Sequence, residues 1–129
     1  MGYSFGLRST LRLRGVHPDL VRVAKRAISI SPTDFTVIEG VRSFERQQQL
    51  YANGASHTLH SRHLTGHAID LGVLIGGAVV WGPWTLYQQL AATMKAAASM
   101  EKVPIEWGGE IWGEFHDGPH FQLPREKYP

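Results

Sequence analysis

The stretch Ser61-Arg62-His63-Leu64-Thr65-Gly66-His67-Ala68-Ile69-Asp70-Leu71 decides how this chain is read. It sets an imidazole and a carboxylate, both good zinc ligands, on either side of a glycine. Gly66 breaks any continuous helix here, so His63 and Asp70 need not be related by helical spacing. The pattern predicts a loop carrying His63, followed by a short strand from Gly66 to Val73. Side chains alternate along a strand, which groups Ala68 with Asp70 on one face and His67, Ile69 and Leu71 on the other. Asp70 then points at a site, small Ala68 leaves room beside it, and His67 points away.

Two protein ligands are too few for zinc, and the stretch His116-Asp117-Gly118-Pro119-His120-Phe121-Gln122 offers a third. Catalytic zinc sites commonly use three protein ligands and keep one position open. His63, Asp70 and His120 make such a set, which gives an expectation of one zinc per chain. Asp117 is left over beside it as a candidate general base. An Asp-Gly pair also suits a turn, and such a turn would swing the Asp117 carboxylate back toward His120. There is no cysteine, so the metal site has to be built from histidine and carboxylate and the fold does not depend on disulfides. His57, His60, His67 and His116 read as non-ligands, with His60 and His116 kept as candidates for the cleft wall.

Ser61-x-His63-x-x-Gly66-x-Ala68-x-Asp70, followed by Asp117-x-x-His120, resembles the zinc peptidases of bacterial cell walls. That superfamily includes D-alanyl-D-alanine carboxypeptidases and dipeptidases together with phage L-alanyl-D-glutamate endopeptidases. Gly15-Val16-His17-Pro18-Asp19-Leu20, Glu39-Gly40-Val41-Arg42-Ser43 with Gln47, Leu50-Tyr51-Ala52-Asn53-Gly54 and Glu106-Trp107-Gly108-Gly109 are similar to the phage-endolysin branch. The likeness runs over about residues 9–123. It implies a hedgehog/DD-peptidase-like fold and a peptidoglycan stem-peptide substrate. It also implies Arg42 over the metal facing the oxyanion, with Ser61 and Gln47 hydrogen-bonding substrate. Trp107 either walls the cleft or belongs to the core. Arg46 departs from the resemblance, which more commonly has an acidic residue there. The alternatives are a D-alanyl-D-alanine carboxypeptidase on the same scaffold and an inactive, zinc-stabilised wall-binding module. A carboxypeptidase must pin a terminal carboxylate, yet Arg42 and Arg62 are the only cations near the motifs, and Arg62 is expected to point away. That favours the endopeptidase.

At 129 residues the chain is expected to be one domain and a monomer. A composition of 43% hydrophobic and 19% charged residues is that of an ordered globular protein. No run reaches the roughly 18 apolar residues of a membrane-spanning helix, since Leu71 to Trp81 is broken by glycines. Met1 to Arg8 lacks the apolar core of a secretory signal, so reaching the wall calls for a holin-type release. Six of the thirteen Lys and Arg fall in the first 26 residues, against one acid, Asp19. No basic motif is interleaved with aromatics, so nucleic acid is not an expected partner.

The remaining elements follow from local signals. Ser9 or Thr10 is expected to cap a short helical turn ending at Gly15. Pro18 opens a helix with a broad apolar face that runs to Ile30. Phe35 to Glu39 has strand composition, Ser43 caps a helix over Phe44 to Ala52, and Gly54 ends it. A hairpin turns at Gly76-Gly77, and an alanine-rich helix covers Trp84 to Met100. Short strands at Ile105–Trp107 and Pro119–Leu123 complete an α+β architecture, a mostly antiparallel sheet with about three helices.

Overall fold

The computed structural model describes residues 2–56, 58–112 and 116–129. His57 lies outside the described residues. In chain order the elements are α1 (Leu7–Arg12), α2 (Pro18–Ile30), β1 (Phe35–Glu39), α3 (Phe44–Ala52), a 3-10 turn (Arg62–Thr65), β2 (Ala68–Ile75), β3 (Ala78–Val80), α4 (Trp84–Glu101), β4 (Glu106–Trp107), α5 (Gly108–Ile111) and β5 (His120–Gln122). The three helices expected from sequence are the three longest of these. His63 sits on the 3-10 turn rather than in open loop, because Ser61 caps that turn, its Oγ accepting from the His63 N–H.

α1 also begins earlier than expected, and Ser9 does not cap it. The Ser9 hydroxyl is buried; it pairs with Thr36 Oγ1 and accepts from the Val37 N–H, tying α1 to β1. Tertiary hydrogen bonding has overridden a local capping preference. Ser43 caps α3 as expected, its Oγ accepting from the Arg46 N–H; at the start of α2 the cap is His17, a residue the sequence did not mark, whose Nδ1 accepts from the Asp19 N–H.

The sheet is antiparallel at every pairing, in the order β1-β2-β5-β4, with β3 joined to β2 through the Gly76-Gly77 turn. One face is apolar. Phe35, Val37, Ile69, Leu71, Val73 and Phe121 pack there against Leu20, Val23 and Ala27 of α2 and Leu90 and Met94 of α4. Each such fully buried large side chain contributes about 1.5–3 kcal/mol. Tyr87 of α4 also fastens the hairpin, donating to the Val80 carbonyl and accepting from the Val73 N–H.

The opposite face carries the polar side chains. Pairing sets Asp70 directly across from His120, and Ala68 across from Gln122, so these four share one face. On the other edge of β2 the register slips: Val37 pairs with Leu71, but Glu39, two residues on, pairs with Asp70. This β-bulge at Ile38 moves Glu39 from the core face, where alternation would put it, to the Asp70 face.

Candidate active site

Three ligand atoms converge on the polar face of the sheet. His63 Nε2 lies 3.1 Å from Asp70 Oδ1, and His120 Nδ1 lies 3.3 Å from the same oxygen. Among the described residues these three form the group whose ligand atoms all lie within 4.8 Å of one another. The far nitrogen of each ring fixes its tautomer. His63 Nδ1 is 2.9 Å from the Gly40 carbonyl, which can only accept, so the hydrogen is on Nδ1. His120 Nε2 is 2.8 Å from Gln122 Oε1, and the Gln122 amide donates to Glu106 Oε1 at 2.9 Å. With both outer nitrogens donating, the two inner nitrogens present lone pairs toward a carboxylate oxygen. Facing acceptors at that distance call for a cation between them. The donor set, two imidazoles and a carboxylate with each ring held by an outer acceptor, fits zinc.

Burial by itself would raise the Asp70 carboxyl; without a cation between them, His120 and His63 in their protonated forms donate to it and hold it well below the usual carboxylate range. Asp117 moves the other way. Burial raises its pKa, the Asp70 charge raises it further, and His120, His63 and Arg42 offset only part of this. Two neighbouring carboxylates thus have opposite tendencies, one ionised and one poised to hold a proton.

The expected Asp-Gly turn is present. The Asp117 carbonyl accepts from the His120 N–H, and the Asp117 N–H donates to the Gly108 carbonyl. Gly108 is required for that approach, because a Cβ there would lie 2.5 Å from the Asp117 carbonyl oxygen. Gly66 has an equivalent role under His63. It has a φ of +77° and its virtual Cβ would sit 2.4 Å from the Gly15 carbonyl, while its own carbonyl accepts from the His17 N–H.

Arg42 reaches the same point from the other side. Its Nη2 is 3.7 Å from Asp70 Oδ2, Nε and Nη2 both donate to Glu39 Oε1, and its backbone N–H donates to the His63 carbonyl. Glu39 is on this face because of the bulge, so the bulge orients the arginine.

Three substrate-side expectations meet a different arrangement. Gln47 is fully buried. Its oxygen accepts from Arg42 Nη1 at 2.7 Å and its amide donates to Ser56 Oγ and the Thr58 carbonyl, which leaves nothing for substrate. It holds Arg42 and the following loop. Trp107 pairs with Phe121 on the core face, where its indole N–H donates to the Gly118 carbonyl and its ring stacks on Trp84. Strand parity gives the polar face to Glu106 instead, and the indole at the site is Trp112, 4.6 Å from the His120 ring. Ser61 does line the cavity, with its hydroxyl oxygen already accepting from the 3-10 turn.

The site opens into a cavity of about 700 Å³ between α3, the loop to Ser61 and the residues after β5. His60 lines it. His116 does not, and its Nδ1 donates to the Gly109 carbonyl. The Arg62 guanidinium reaches away, to the Leu123 and Tyr128 carbonyls. Arg42 and Arg62 are not the only cations here: Arg46 and Arg125 also line the cavity. The sequence concealed both, because α3 and the segment after β5 meet only through the tertiary fold. A lack of cations therefore does not discriminate between endopeptidase and carboxypeptidase.

Comparison with known proteins does discriminate. A curated L-alanyl-D-glutamate peptidase of Escherichia phage T5 is 32% identical over 123 residues, 91% of this chain and 89% of its own length. One of Listeria phage A118 is 34% identical over 92 residues, 71% of this chain, which spans about 31% of that longer protein. Among solved structures, the Serratia marcescens L-Ala D-Glu endopeptidase ChiX superimposes with a TM-score of 0.92 at 48% identity, covering 99% of this chain and 95% of that one. The vancomycin-resistance D,D-dipeptidase VanXYg shares the fold alone, with a TM-score of 0.55 at 20% identity, over 84% of this chain and 50% of its own. The family model for phage L-alanyl-D-glutamate peptidase matches residues 1–123, and the chain belongs to that family.

Proposed function

We propose that this chain is a zinc-dependent peptidoglycan endopeptidase that hydrolyses the amide between L-alanine and D-glutamate in the stem peptide. The observation that carries it is the convergence of His63, Asp70 and His120 on one point, with Asp117 and Arg42 facing the same cavity. His63, Asp70 and His120 would hold zinc, which when bound would supply Lewis acidity for the scissile carbonyl and for water. Asp117, whose pKa burial raises, takes the proton of the attacking water and returns it to the leaving amine. Arg42, clamped by Glu39 and Gln47, presents fixed positive charge to the oxyanion that forms as the carbonyl becomes tetrahedral. Gln122 and Glu106 hold the His120 ring in the tautomer that turns Nδ1 inward.

Among the described residues no helix is long and apolar enough to cross a membrane. With phage proteins among its relatives, we place its action at the host cell wall after holin-type release, as an endolysin. The D-alanyl-D-alanine carboxypeptidase reading has less support, since its relative here matches in fold alone.

Mass spectrometry of purified sacculi digested by the protein tests the proposal. The expected products carry new D-glutamyl amino termini, chelator abolishes their formation, and added zinc restores it. Release of D-alanine at the rate of lysis would overturn the assignment.

A further inference from the structure

The cations of the cavity divide into two groups. Arg42 is held at the metal end by Glu39, Gln47 and Asp70, facing the oxyanion. Arg46 and Arg125 are not. Arg46 lies one helical turn before Leu50, which also lines the cavity, and its guanidinium has no hydrogen bond or ion pair among the described residues. Arg125 spends one Nη2 hydrogen bond on the His60 carbonyl at 3.0 Å, and among the described residues it has no carboxylate partner. Arg22 and Arg26, elsewhere on the surface, both pair with Glu101. Among the described residues the acids that line the cavity, Glu39, Asp70 and Asp117, all sit at the metal end. Two guanidinium groups with unused donors therefore face a cavity whose negative charge is already committed, an arrangement suited to an anionic ligand.

The substrate has such an anion. A glutamyl residue has two carboxyl groups, and only one can carry the chain onward. The other is a free carboxylate, attached close to the nitrogen that becomes the leaving amine. Arginine matches a carboxylate with paired, charge-assisted hydrogen bonds.

We propose that Arg46 and Arg125 form a subsite for the free carboxylate of the D-glutamyl residue on the leaving-amine side of the cleaved bond. This rests on the function proposed above. It would make the enzyme sensitive to whether that carboxyl is free or amidated.

Three synthetic stem peptides test it with the full chain: one unmodified, one with the glutamyl carboxyl as its amide, and one amidated only at its far C-terminus. The unmodified and C-terminally amidated peptides should be cleaved alike. The glutamyl amide should have a KM raised by about ten- to a hundredfold, the scale of one lost charge-assisted interaction. Arg46→Gln and Arg125→Gln should each shrink the preference for carboxylate over amide, mainly through KM, and Arg125→Lys should restore part of it. Circular dichroism and melting will show that these exposed positions leave the fold intact. If wild type cleaves the glutamyl amide as well as the parent, the subsite is wrong while the bond assignment stands. A penalty that follows C-terminal amidation instead assigns the arginines to a chain terminus and also overturns the subsite. Failure to cleave the alanyl-glutamyl bond in any of the peptides overturns both.

Discussion

The metal end of the site and its substrate end are made of different materials. His63, Asp70 and His120 are held by paired strands and a capped 3-10 turn, where register fixes each side chain to a face. The walls beyond them come from α3, the loop leading to Ser61, and the segment after β5, which carry exposed side chains such as Arg46 and Arg125. Hydrogen-bond register holds atoms to within fractions of an ångström, which metal coordination requires, whereas a wall of helix and loop adapts to a polymeric substrate. Chemistry resides in the first part and selection in the second.

The strongest way to break this division is at the sheet. His120→Ala should release the metal and abolish activity. Asp117→Ala should keep the metal and lower turnover by a factor of about 10² or more. Elemental analysis beside kinetics separates the two, and the opposite pattern would exchange base and ligand. Asp117 also sets a pH signature. The base works only when deprotonated and its pKa is raised, so in metal-free protein it should titrate above the ordinary carboxylate value of about 3.9. A bound dication favours the charged form and pulls that titration down. The acid limb of kcat/KM, where activity falls with falling pH, should therefore lie below the titration seen by NMR without metal.

Next in size is Arg42, on the boundary between the two parts. Arg42→Ala should lower kcat by about 10²–10³ with the metal content intact, the scale of a lost oxyanion donor. An effect confined to KM would move Arg42 into the substrate wall.

The smallest expected effect sharpens the comparison within the sheet. Gln122→Leu removes the acceptor of His120 Nε2 and strands Glu106, and should weaken metal affinity by about 10- to 100-fold in competition with a chromogenic chelator. Unaltered affinity would show that register alone positions the ring.

The two parts also differed in legibility. Spacing around Gly66 and strand parity pointed Asp70 toward the site, and the Asp117–Gly118 pair announced its turn, because each signal is local. For Trp107 the sequence leaves cleft wall and core both open, and the pairing of β4 with β5 puts it on the core face. Gln47 sits on a helix whose apolar pattern is weak, so nothing local revealed that it is buried and satisfied. Arg46 and Arg125 were missed for the reason that defines the substrate end: distant segments brought together by closure of the fold leave no periodic trace.

The bulge at Ile38 bears on how this scaffold tolerates changes in length. A residue gained or lost at the exposed Gly76-Gly77 tip alters only a solvent-facing turn. Without the bulge, at the present length, Ile38 would pair with Asp70 and Glu39 would turn toward the apolar layer, taking away the anchor of Arg42; the extra residue keeps Glu39 opposite Asp70. Relatives and engineered variants should therefore vary freely in length at the hairpin, and a β1 shortened by the bulge residue should run as a regular ladder with its acid still opposite Asp70. At the bulge, pairing rather than residue count decides which side chain faces the metal end.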